Sequence, residues 1–214
     1  MSFFGLWMVA PLPDEEIARL AAVLMPVIEH QAALPHIRAR WQRWATAPEQ
    51  VRGHRQGLDP DHPQLLILDT SSTAFLELSS ACPLNEEEPY NLVNEVWHLV
   101  DPDASLVVTC RKGFPAAALA HALGPERFAR LPGWFGDFVL DAAQTRAVLP
   151  HIREALALDA DEHRQALARA VDWLCEVGDG DAEDATPLLD GLVPVWQAAV
   201  DAGAGLFGHM VIPG

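Results

Sequence analysis

FFGLWMVAPLPDEEIARLAAVLMPVI, residues 3–28, decides the fold class. Phe3 to Ala10 is an unbroken apolar run of strand length, as expected of a short buried strand. Pro11 and Pro13 end it. Asp14 then offers a helix cap, with Glu15 and Glu16 in the first turn, where acids complement the helix dipole. Ile17, Leu20, Ala21, Leu24 and Ile28 fall on one helical face, and Pro26 predicts a kink. A buried strand running into an amphipathic helix calls for a sheet with helices packed against it.

The opposite end mirrors this. Thr186 and Pro187 read as cap and first-turn proline of a helix to about Ala202, and residues 206–212 as a terminal strand. Both chain ends are therefore expected in one sheet. Between them, Ser105–Cys110 is the clearest buried strand, and Leu65–Asp69 and Phe135–Leu140 are strand candidates. Ala74–Leu78 fits either a hairpin partner or a helical turn. Pro35 starts a helix whose Ile37, Trp41 and Trp44 share a stripe, with Arg38, Arg40 and Arg43 largely outside it. Thr46–Gln64 reads as a long loop. Glu86–Leu99 and Pro115–Leu123 read as helices, the second ended by Gly124 and Pro125. Asp141 with Gln144, and Asp159 with Glu162, are capping-box pairs opening two more. The pattern predicts an α+β fold: one domain over residues 1–214, a small mixed sheet of four to six strands with helices packed on it.

Composition narrows the function classes. The chain has 214 residues, half of them hydrophobic, and 14 basic against 30 acidic residues, a net charge of −16. Nucleic acid needs a basic footprint and is not an expected ligand. No arginine or lysine precedes Arg19, as a signal peptide requires, and no apolar run approaches the roughly 20 residues of a membrane helix. Cys82, Cys110 and Cys175 form no Cys-x-x-Cys pair and leave one unpaired, which fits a reducing compartment. The expectation is a cytoplasmic protein with no membrane partner. Cys175 reads as inert packing at the edge of an apolar helix face.

Several motifs carry possible chemistry. Gly203-Ala-Gly205-Leu-Phe-Gly208 spells G-x-G-x-x-G, but it follows a helix and leads into a strand, so it reads as a helix C-cap plus a close-packed strand rather than a dinucleotide loop. The nine histidines show no His-Glu-x-x-His, and no metal or cofactor is expected. Leu-Leu-Ile-Leu-Asp69-Thr-Ser71 is an apolar run ending in a carboxylate, a place where open α/β sheets present reactive groups. With Leu106-Val-Val-Thr109, Lys112 and Gly136-Asp137-Phe-Val-Leu-Asp141, it resembles the motifs of haloacid-dehalogenase-type phosphatases. That resemblance implies Mg²⁺-dependent hydrolysis with Asp69 as nucleophile and Thr109, Lys112 and Asp137 in support. Ser71 stands where the family has its general acid.

Charge distribution points elsewhere. Glu154 to Asp201 holds twelve acids against Arg164 and Arg169, and Gln31–Leu58 holds five arginines against Glu49. Asp179, Asp181, Glu183 and Asp184 crowd one segment, an expected docking surface for a basic protein partner. Phe4-Gly-Leu-Trp-Met-Val-Ala with Asp14-Glu-Glu-Ile-Ala-Arg-Leu, and Leu189-Asp-Gly-Leu-Val-Pro-Val-Trp-Gln-Ala-Ala-Val-Asp-Ala-Gly, resemble the two ends of the YfbM-like family of uncharacterised bacterial proteins. The resemblance implies an α+β fold and no activity. The leading expectation is a non-enzymatic binding, regulatory or immunity-type module, with the phosphatase as the alternative.

Overall fold

The computed structural model describes residues 4–52, 55–58, 66–85, 87–111, 113–177 and 185–211. Strand β1 (Phe4–Leu12) lies inside a four-stranded sheet of order β4-β1-β6-β5, with β4 Leu106–Arg111, β5 Phe138–Leu140 and β6 Gly205–Val211. Both chain ends occupy the middle of this sheet, Met8 pairing with Val107 on one side and His209 on the other. The α+β class stands with four strands. Every pair is antiparallel rather than mixed.

β6 is buried from Gly205 through Met210, because strands flank it and helices cover it. Edge strand β4 alternates instead: Leu106, Val108 and Cys110 face the core, while Val107, Thr109 and Arg111 are exposed. Such alternation marks a strand covered on one face only.

Helix α1 (Asp14–Ala33) buries Ile17, Leu20, Leu24 and Ile28 and runs uninterrupted through Pro26, which is exposed. Asp14 is its first helical residue and caps nothing there; its side chain accepts from the Ala142 amide at 3.3 Å, tying α1 to α6 (Ala142–Ala155). Helix α2 (Pro35–Thr46) follows after Leu34. The expected loop beyond it contains a 3-10 turn at Pro48–Gln50 and strand β2 (Arg55–Leu58), which pairs with β3 (Leu66–Leu68) in a separate two-stranded ribbon. Ala74–Leu78 is helical, within α3 (Thr70–Ser79), and α4 (Glu87–Val96) follows.

Helix α5 (Pro115–Phe128) is broken at Gly124, φ 76° and ψ 166°, and resumes after it. Asp141 and Gln144 form the reciprocal capping box of α6. Asp159 caps α7 (Ala160–Val177) the same way, accepting from Glu162 N at 2.9 Å while Glu162 Oε2 accepts from Asp159 N at 3.1 Å. The last helical stretch divides into α8 (Thr186–Asp190) and α9 (Leu192–Ala202), and Ala185, not Thr186, holds the cap position. Gly191, between them, is closely packed: a Cβ there would lie 2.5 Å from the Leu106 side chain on β4 and 2.7 Å from Pro187 O. Gly203 closes α9 in the left-handed region and Gly205 and Gly208 lie in β6, so the G-x-G-x-x-G letters are a cap and a strand. Cys175 is exposed, against the expectation of packing, and no disulfide joins the three cysteines.

Candidate functional site

Five residues between α5 and β5 do two jobs. In Gly133-Trp-Phe-Gly-Asp137, Trp134 and Asp137 exchange backbone hydrogen bonds at 2.9 Å, closing a tight turn. The closure needs positive φ at Gly133 (73°), Phe135 (41°) and Gly136 (99°). A bulky side chain at positive φ is a genuine outlier, held only where its surroundings over-determine it. Here Phe135 packs against Phe128 at 5.1 Å and Trp134 at 5.2 Å. Gly136 has no room for a Cβ, which would stand 2.6 Å from Trp7 Nε1. That indole N–H donates to Gly136 O at 3.0 Å and pins the turn to β1.

In front of this turn lies a cavity of about 420 Å³, within the roughly 300–1,000 Å³ usual for small-molecule sites. The turn supplies one wall through Trp134, Phe135 and Gly136, and the sheet contributes Trp7 and Phe138. Helix α9 adds Leu192 and Trp196, one helical turn apart, with the Trp196 ring 5.0 Å from Phe138 and tilted 39° to it. Helix α2 closes the mouth with Arg38, Trp41 and Gln42, which share a face at i, i+3 and i+4. Trp41 touches Trp134 and Phe135, both at 6.1 Å. Ala129, exposed at the end of α5, completes the rim.

The cavity differs electrically from the rest of the molecule. Among the described residues lining it none is acidic, and Arg38 is its one cation. Arg38 is exposed and has no ion-pair partner among the described residues. Its neighbour Arg40 bonds Glu77 at 2.5 Å. The indole N–H groups of Trp134 and Trp196 are buried within the wall and have no acceptor among the described residues.

Behind the turn the Asp137 side chain meets β6. Asp137 and His209 are fully buried, and Asp137 Oδ1 accepts from Met210 N at 2.8 Å and lies 3.1 Å from His209 Nδ1. Asp137 Oδ2 and His209 Nε2 have no hydrogen-bond partner among the described residues. Asn85 Nδ2 donates to Met210 O at 2.8 Å, and Cys82 lies nearby. Burial, reinforced by the Asp137 charge, pushes the Cys82 thiol far above the ordinary cysteine range, so it stays protonated and a poor nucleophile.

A second hollow of about 520 Å³ lies between the Pro48–Arg52 segment and α7. Its basic groups are occupied: Arg169 donates from Nε and a terminal nitrogen to Ala122 O at 2.9 and 2.6 Å, and His121 Nε2 bonds Val51 O at 2.8 Å. Burial pushes the His121 pKa below its ordinary value, which favours the neutral ring. Glu49 and Asp172 also line it.

The structure disperses the phosphatase residues. Asp69 caps α3 at the end of the two-stranded ribbon, accepting from Ser71 N at 2.8 Å, Ser72 N at 2.9 Å and Ser72 Oγ at 2.8 Å. Thr109 is exposed on β4 and Asp137 is buried beside β5, at opposite edges of the sheet. Three strand spacings separate those edges, about 14 Å. Lys112 lies outside the described residues, as do Asp179, Asp181, Glu183 and Asp184. Among the described residues no group of three or more His, Cys, Asp or Glu side chains is placed to hold a metal ion. No single helix among them is long and apolar enough to cross a membrane.

Sequence reasoning singled out Asp137 but not His209 or the cavity. The aromatic stripe of α2 was the available signal, since Trp41 belongs to it. The chain matches no protein-family model, no curated protein and no solved structure.

Proposed function

We propose that this protein is a non-enzymatic binding module whose ligand occupies the aromatic cavity between α2, α9 and the Gly133–Asp137 turn. One observation carries the reading: a preformed apolar cavity, walled by strained backbone and four tryptophans, opens at a mouth with polar groups and no nucleophile or general base. Binding sites have this composition, apolar walls with a few placed polar groups. A cytoplasmic setting belongs to the same proposal, supported by three cysteines that form no disulfide with one another. So does the likeness of the two chain ends to the YfbM-like family. A basic protein partner at the acidic segment around Asp179 and Asp184 is a separate proposal, supported by sequence charge alone.

The test is saturable binding of a neutral bicyclic aromatic, 2-naphthol, followed by tryptophan fluorescence. Wild type should bind, and Ala129→Trp, which fills the exposed rim, should lose affinity at least tenfold, about 1.4 kcal/mol, while keeping its melting temperature. Equal binding by both proteins would place the probe elsewhere and remove the cavity from the function.

A further inference from the structure

We infer that the ligand is a small aromatic monoanion, its ring against the cavity wall and its carboxylate-type group held at the mouth by Arg38. The inference rests on the cavity being the binding site and adds the ligand's chemistry.

Charge placement is the first support. The chain carries 30 acids and 14 basic residues, so a cavity chosen at random among its charges would be bordered by carboxylates. Among the described lining residues there are none, and the single charged group is a guanidinium. Several other arginines of the described surface are ion-paired, though Arg43 and Arg146, which do not line the cavity, show no ion pair among the described residues. Arg19 bonds Glu16 and Glu95, Arg127 bonds Glu162, and Arg130 bonds Glu154. Arg38 at the mouth has no such partner among the described residues, so among them its charge is available to a ligand.

Geometry is the second support. A guanidinium presents paired N–H donors in a planar fork that matches a carboxylate bidentately. Gln42 stands one helical turn beyond Arg38 on the same face, and its amide NH₂ is a further donor at the mouth. The ring of a bound acid would continue inward to Trp41, Trp134 and Phe135.

The same features reject the other ligand classes. A quaternary ammonium group needs rings disposed around an open centre, commonly with an acid nearby. Here Trp41, Trp134 and Phe135 pack on one another at 5.2–6.1 Å as a continuous wall, and Arg38 would repel the cation. A polyphosphate needs several positive groups, and the mouth has one.

Three probes of one shape separate the possibilities: 2-naphthoate, 2-naphthol and 2-naphthylmethylammonium, titrated into wild type, Arg38→Gln and Arg38→Glu at low salt. Arg38 is exposed, so both variants should fold. Wild type should bind naphthoate at least tenfold more tightly than naphthol, and the ammonium most weakly. Arg38→Gln should bind naphthoate and naphthol equally, with naphthol affinity within twofold of wild type, and Arg38→Glu should reverse the order of the two ions. Naphthol binding in wild type with no preference for naphthoate, or a preference that survives Arg38→Gln, overturns the anion assignment and leaves the cavity standing. Failure of all three probes to bind wild type overturns the cavity reading, and the anion assignment with it.

Discussion

Asp137 faces two environments at once: its backbone closes the turn that walls the cavity, and its side chain is buried against β6. Its Oδ1 accepts from the Met210 amide and lies at hydrogen-bond distance from His209 Nδ1. Removing the carboxylate leaves two buried polar groups stranded, and breaking a buried pair from one side costs about 3 kcal/mol or more. Asp137→Ala should therefore lose about 3 kcal/mol in denaturant unfolding. Asp137→Asn keeps an oxygen for Met210 N and should lose about 1 kcal/mol. Equal losses would show that β6 needs the charge and not merely an acceptor. Because Trp134 and Asp137 share the turn, both variants should also weaken 2-naphthol binding if they loosen it.

Helix α3 gives Asp69 a definite task without chemistry. Burial acts to raise the Asp69 pKa, but hydrogen bonds from the Ser72 amide and hydroxyl and the Ser71 amide, with Arg52 nearby, outweigh it, and the net shift is downward. A carboxyl whose folded pKa is depressed adds stability above its unfolded pKa, about 4, and loses it as pH falls through the lower folded value. Asp69→Ala should cost about 1 kcal/mol at neutral pH, with the gap to wild type closing under acid. Asp69→Asn should cap nearly as well and lack that pH dependence. Urea melts at pH 7 and pH 3 decide it, and a gap that widens in acid would contradict the cap. Local signals of this kind were legible: the capping boxes of α6 and α7 and the strand identities of β1, β4 and β6 depend on neighbours in sequence. Strand β2 was not, because Arg55–Leu58 has no apolar alternation and forms by pairing with β3. The close packing of Gly191 against Leu106 was not, because Leu106 is far away in sequence. Asp14 looked like a cap and instead accepts from the Ala142 amide, a partner 128 residues distant.

At the scale of the whole molecule, the cavity escaped sequence reading for the same reason. Its walls come from β1, α2, α9 and the Gly133–Asp137 turn, and nothing local in Trp7, Trp41, Trp134 and Trp196 says that they converge. What the chain ends did announce is that both enter one sheet, and this has a consequence for unfolding. Strand β6 is paired on both sides and buried through Met210, so the C-terminal strand is structurally internal and β1 has no sheet partner but β4 without it. The buried side chains of α1, α2, α5, α7 and α9 join those of the sheet in one hydrophobic cluster. No helix among these can leave without exposing apolar surface that belongs to its neighbours, which is the condition for all-or-none unfolding. The tryptophans at 7, 41, 44, 134, 173 and 196 sample β1, α2, the turn, α7 and α9, so their fluorescence reports on the whole cluster. Guanidinium transitions followed by tryptophan fluorescence and by far-ultraviolet circular dichroism should therefore share one midpoint. Because no disulfide joins the three cysteines, a reductant should leave that midpoint in place. Two separated transitions would mean that the ribbon-side helices and the sheet unfold independently, and that the cavity between α2 and β1 lies on a boundary rather than inside one cooperative unit.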